Sequence, residues 1–269
     1  MPDPVRTIVA HTRQKLEGHK QVLVLVGGDE NSSDHHILQA ALLDAFTRHD
    51  IDVTVAFGVP ENINARYLRG QKMSAGRTRR VLARLAQTDI NGHVRANGLM
   101  SQMKYNTLAW LPLFTAMRNG QPVMFVDAGI AQTGNDMHIP FDNRRTYDAA
   151  MANSIPMDQP LLREEPRGLH LRNKLMLADC AARVRQKATG KSIVVLFTGK
   201  RHVAGTNRPF ADLGVIAPDQ LAGRQAPYHQ SLHYMATNYN VPVVAFQLGG
   251  YDAYPQLHMP THNPVVNVS

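Results

Sequence analysis

The chain has 269 residues, enough for one large α/β domain or two small ones with a substantial core. Apolar residues make up 43% and charged residues 19%, which excludes a disordered chain, and no apolar run reaches membrane-spanning length. A formal net charge of +8 favours acidic partners.

The N-terminal "MPDPVRTIVAHTRQKLEGHKQ" places charges and a proline where a secretory signal needs a continuous apolar segment. The first strand is expected at "QVLVLVG" (21–27), ending in Gly27 and Gly28, which suit either a tight turn or a ligand. An amphipathic helix follows in "SSDHHILQAALLDAFTRHD": Ile37, Leu38, Ala41, Leu42, Ala45 and Phe46 share a face, Ser32 or Ser33 can cap it, and Asp34 complements the dipole. Further strands are expected at 51–57, 121–128, 192–199 and 241–248, with a short edge strand in "PVVNVS". Helices are expected over 74–88, 106–118, 143–153, 169–188 and 228–239.

Residues 58–118 are long for one crossover and are expected to form a helical insertion over the sheet edge. They carry Arg66, Arg69, Lys72, Arg77, Arg79, Arg80 and Arg84, either a solvated helix face or a surface for anions. The scarcity of interleaved aromatic residues argues against nucleic acid. Segment 129–168, rich in Gly, Asn, Asp and Pro, reads as a large loop system with one helix. The β-α-β order predicts a single α/β domain over 1–269, with a predominantly parallel sheet and helices on both faces. Cys180, the one cysteine, excludes an intramolecular disulfide and suits a reducing compartment; it reads as a packed small residue of the 169–188 helix.

In such a sheet, ligands gather beyond the carboxyl ends of the strands. The first strand delivers Asp29, Glu30 and Asn31, then His35 and His36; the third delivers Asp127; the fourth delivers Lys200, Arg201 and His202. Arg172 and Asn173 open the helix that feeds the His202 strand and should face the same crevice; the alternative for Arg172 is a surface pair with Glu164 or Glu165. An acid and an imidazole from separate strands are what acid–base chemistry or metal binding needs. Phosphate-loop, nucleophile-elbow and dinucleotide motifs are absent from the sequence, and a proline between His258 and His262 opposes their convergence on a helix.

Four pieces, "GDEN" (28–31), "FVDAG" (125–129), "LRNKLMLAD" (171–179) and "GKRHVAG" (199–205), together resemble the TIKI/TraB, ChaN and EreA superfamily. More narrowly they are similar to the HopBA family of type III effectors from plant-pathogenic bacteria. The resemblance implies an EreA/ChaN-like α/β fold and a hydrolase-type pocket, either metal-dependent through a divalent ion or metal-free. It also implies type III secretion into the host cytoplasm, with a host protein or small molecule as substrate and cell death through a TIR-domain immune receptor. On that reading His202 is general base and Asp29 orients it or binds the ion. Arg172 stabilises negative charge, and Asn173 or Asn31 positions the substrate with Asp127, Lys200 and Arg201. The candidate metal ligands are Asp29, His35, His36 and His202. Two departures stand out: Asp29 and Asn31 replace the Glu and His usual in the first motif, and Glu61 is displaced along its loop. They favour an alternative, a non-catalytic ligand- or haem-binding protein of the same fold.

Overall fold

A computed structural model describes residues 4–28, 32–60, 111–133, 136–186, 190–203, 230–248 and 265–268. Asp29, Asn31, Glu61, the basic run from Arg66 to Arg84, the 74–88 helix, most of the expected insertion, and His258 and His262 lie outside these residues.

The described elements are α1 (Pro4–Gly18), β1 (Gln21–Gly28), α2 (Ser33–Arg48), β2 (Asp52–Pro60), α3 (Leu111–Arg118) and β3 (Val123–Asp127). Then come β4 (Ala131–Thr133), β5 (Asp136–Ile139), α4 (Arg144–Ala152), β6 (Leu161–Leu162) and α5 (Pro166–Val184). The chain continues through β7 (Ser192–Gly199), α6 (Lys200–Val203), α7 (Leu232–Asn238), β8 (Val243–Leu248) and β9 (Val265–Val268).

Six strands form one sheet in the order β3-β2-β7-β1-β8-β9, and every pairing is parallel. Alternation along each strand sorts the side chains onto two covered faces. Val22, Val24 and Val26 of β1 join Val53, Val55, Ile193 and Val195 beneath α1 and α2, which contribute Ile8, Leu16, Leu42 and Phe46. Leu23 and Leu25 point the other way, with Leu196 and Ala245, beneath α5 and α7, which contribute Met176, Cys180, Leu232 and Met235. Burial there pushes the Cys180 thiol up, so it is inert as a nucleophile.

The α/β class is as expected, and so is the edge position of β9 beside β8. Two regions differ from the sequence expectations. Helix α1, absent from the elements expected above, seats Ile8, Val9 and Leu16 on the core, with Pro4 starting the helix. The expected loop system contains α4 and also a second, antiparallel sheet, β4-β5-β6, over a small core of Ile139, Ala150, Leu161, Leu171 and Leu175. Among the described residues no helix is long and apolar enough to cross a membrane.

One packing detail positions the site. Helix α6 turns directly off β7 and lies against the end of β1. A Cβ on Gly27 would stand 2.9 Å from Val203 Cγ2 and 3.1 Å from Lys200 Cα. Glycine at 27 therefore permits this close approach. Gly27→Ala is expected to cost about 1–3 kcal/mol through overpacking, measured by denaturant unfolding. An unchanged midpoint would show that the α6 turn does not press on β1.

Candidate functional site

β3 and β7 flank β2, so their carboxyl ends stand about 10 Å apart. Side chains from the β6–α5 turn and from α5 fill that gap. Because α5 feeds the parallel strand β7, its N-terminal half lies at the carboxyl edge of the sheet, as expected for Arg172 and Asn173.

Asp127, the last residue of β3, is 1% exposed and is held by two guanidinium groups. Arg172 donates from Nε to Oδ1 at 3.0 Å and from Nη2 to Oδ2 at 2.8 Å. Arg163 donates from Nη2 to Oδ2 at 2.6 Å, and its Nη1 donates to the carbonyls of Ala128 and Gly129. The backbone N–H of Ala128 donates to Oδ1 at 2.7 Å. Burial alone would raise the carboxyl pKa, but Arg163 and Arg172 reverse that and hold it far below the usual carboxylate range. Burial and the neighbouring Arg172 lower Arg163 to about 10, against the pull of Asp127 and Glu164. The carboxylate of Asp127, expected to contact substrate, is the counter-charge of two buried arginines.

Arg172 is likewise engaged within the protein. Its third nitrogen, Nη1, donates to Glu164 Oε1 at 3.0 Å and to the Arg163 carbonyl at 3.4 Å. The surface pair considered for Arg172 is partly right: Glu164 is the partner, but most of the guanidinium is buried against Asp127. All three nitrogens of Arg172 are thus engaged within the protein, with Asp127 as the buried partner and Glu164 as the half-exposed one. Arg201 of α6 pairs with the other oxygen of Glu164. Lys200 lies on the same turn, and its carbonyl accepts from Gln247 Nε2 at 3.3 Å.

His202 sits in the middle of α6 and is 2% exposed. Its Nδ1 is 2.6 Å from Asn173 Oδ1, while Asn173 Nδ2 donates to the Gln230 carbonyl at 2.8 Å. A carbonyl only accepts, so the amide nitrogen of Asn173 must face Gln230 and its oxygen must face the imidazole. The ring is thereby fixed as the Nδ1–H tautomer, with the lone pair on Nε2. Asn173, fully buried, orients the imidazole, the role expected of Asp29, through an amide engaged at both its oxygen and its nitrogen.

Burial lowers the His202 pKa well below its ordinary 6.5, and Arg172, Arg201 and Arg163 lower it further against the opposing pull of Asp127. The unfolded chain therefore takes up this proton first as pH falls. Stability is expected to decline below about pH 6.5, at up to about 1.4 kcal/mol per pH unit, until the folded pKa is reached. A second decline, from Asp127, begins below about pH 4. Denaturant unfolding across pH 7 to 4.5 should give a shallower slope in His202→Gln than in the wild type. Parallel curves would contradict the neutral buried imidazole.

His35 and His36 lie in the first turn of α2 and are each 8% exposed. A Cβ on Gly28 would lie 3.7 Å from His35 Cβ and 2.9 Å from Gln39 Nε2, so the end of β1 abuts this turn. Among the described residues no three His, Cys, Asp or Glu side chains converge to hold a metal ion. The described donors do not by themselves fit a divalent-ion centre.

Sequence reasoning missed Arg163 and gave Glu164 only a surface role. Neither carries a local signal: Arg163 meets Asp127 across 36 positions of chain.

No family model matches the chain, and no curated protein matches it. Among solved structures the fold is similar to ChaN of Campylobacter jejuni, described with cofacial haem binding, at 12% identity and a TM-score of 0.39, covering 89% of this chain and 86% of that one. It is also similar to the type III effector HopBA1, at 11% identity and a TM-score of 0.44, covering 99% of this chain and 94% of that one.

Proposed function

We propose that this chain is a hydrolase-type effector whose reacting base is His202. The observation that carries the proposal is the 2.6 Å contact between His202 Nδ1 and Asn173 Oδ1, with Asn173 itself oriented by the Gln230 carbonyl. A general base needs an unprotonated nitrogen held in one direction, and this arrangement supplies it at Nε2. The base takes a proton from water as the water attacks the substrate. The described residues contain more guanidinium than carboxylate around the imidazole, which suits a reaction that builds negative charge.

The biological setting of the proposal comes from the resemblance of the four motifs and from nothing in the geometry. It is delivery by type III secretion into a plant cell, with cell death through a TIR-domain immune receptor. A second reading, ligand binding without turnover, is favoured by the internal engagement of Arg172 and Asn173. Expression of the full chain in leaf tissue separates them. His202→Gln at equal protein level abolishes the response under the hydrolytic reading and leaves it intact where no turnover is needed.

A further inference from the structure

Glu164 differs from Asp127, the other carboxylate of the network. It occupies the turn between β6 and α5, and its side chain is 38% exposed, whereas that of Asp127 is 1% exposed. Its two oxygens serve two different guanidiniums: Oε1 accepts from Arg172 Nη1 at 3.0 Å, and Oε2 pairs with Arg201 Nη1. Arg172 keeps Asp127 as counter-charge if Glu164 swings out. Arg201 is 28% exposed, and the described residues give it no other ion pair. Departure of Glu164 therefore leaves one accessible cation, on the residue adjacent to His202, without opening the core.

We propose that Arg172 and Arg201 form an oxyanion-binding subsite beside His202, occupied in the free protein by Glu164, and that the substrate carries a carboxylate or phosphate group that takes its place. The subsite stands on the ion-pair geometry; its assignment to substrate rests on the hydrolytic reading of His202. The pairing of one oxygen to each guanidinium is the pattern an external oxyanion would reproduce. A tethered carboxylate competes with any external anion, so the observed affinity is reduced by the fraction of time the subsite is open. Removing the tethered charge should restore that affinity.

The test is calorimetric titration of the full chain with inorganic phosphate, and separately with acetate. Glu164→Gln should bind at least one of these about tenfold more tightly than the wild type. Glu165→Gln removes the same charge one residue away, at the N-cap of α5, where its side chain makes no capping bond, and should bind as the wild type does. Adding Arg201→Gln to Glu164→Gln should cancel the gain; thermal melting confirms that each variant is folded. The stronger of the two arms identifies the anionic group. Equal tightening in the Glu164 and Glu165 variants, no tightening at all, or a gain that survives Arg201→Gln would overturn the subsite. Binding requires no turnover, so that failure leaves the role of His202 standing. Tight anion binding with an unimpaired His202→Gln effector would instead keep the subsite and remove the hydrolysis.

Discussion

Asp127→Asn should destabilise the protein by about 3–5 kcal/mol, the cost of leaving buried guanidinium charge without its counter-ion. Both Arg163 and Arg172 lose their shared partner in this variant; Arg172 keeps Glu164, whereas Arg163, 3% exposed, is left with the carbonyls of Ala128 and Gly129. The same chemical change at Asp44 makes a sharp control. Asp44 pairs with Arg118 at 2.8 Å, as close as the Arg172–Asp127 contact, but the two side chains are 36% and 54% exposed. Surface pairs of this kind contribute under about 1 kcal/mol. Denaturant unfolding should therefore rank Asp127→Asn far below Asp44→Asn, although distance alone makes them equivalent. Equal losses would mean that Asp127 is hydrated and that the network is a surface feature.

His202→Ala should reduce the proposed activity by about two to four orders of magnitude, the usual contribution of a well-placed general base. The protein should stay folded, since the native ring is uncharged and, among the described residues, hydrogen-bonds to Asn173. Asn173→Leu tests the positioning role separately. It keeps the imidazole but removes the acceptor at Nδ1, so the ring is free to change tautomer and the activity should fall while anion binding at Arg201 persists. A parallel loss of both would point to general disruption of α5. Cell-death scoring at matched protein level reads the first quantity, and calorimetry with phosphate reads the second.

The sheet was legible because its strands are covered on both faces. Runs such as "VLVLV" and "IVVLF" are continuously apolar for that reason, and their spacing left room for helical crossovers. The residues at their carboxyl ends could be placed by topology alone, and α5 does bring Arg172 and Asn173 to that edge. Their occupations could not. Whether Arg172 faces a ligand or Asp127 depends on where the β6–α5 turn lands, and β4 to β6 are only two to four residues long. Strands that short carry no periodicity to read. The orienting of His202 by Asn173 spans 29 positions and two elements, again with no local trace. Helix α1 is a different case: Val5, Ile8, Val9 and Leu16 follow helical spacing, but the charges between them hide the pattern from a search for apolar runs.

All of the proposed chemistry requires that a single imidazole, deep at the sheet edge, keep an uncharged nitrogen aimed away from its amide partner. Nitrogen-15 resonances of the histidine side chains, assigned through a His202→Gln spectrum, report this directly. The account predicts a proton on Nδ1, none on Nε2, and no titration of that ring between pH 8 and pH 6. A ring protonated at Nε2, or one that titrates near 6.5 like a solvated histidine, would contradict it.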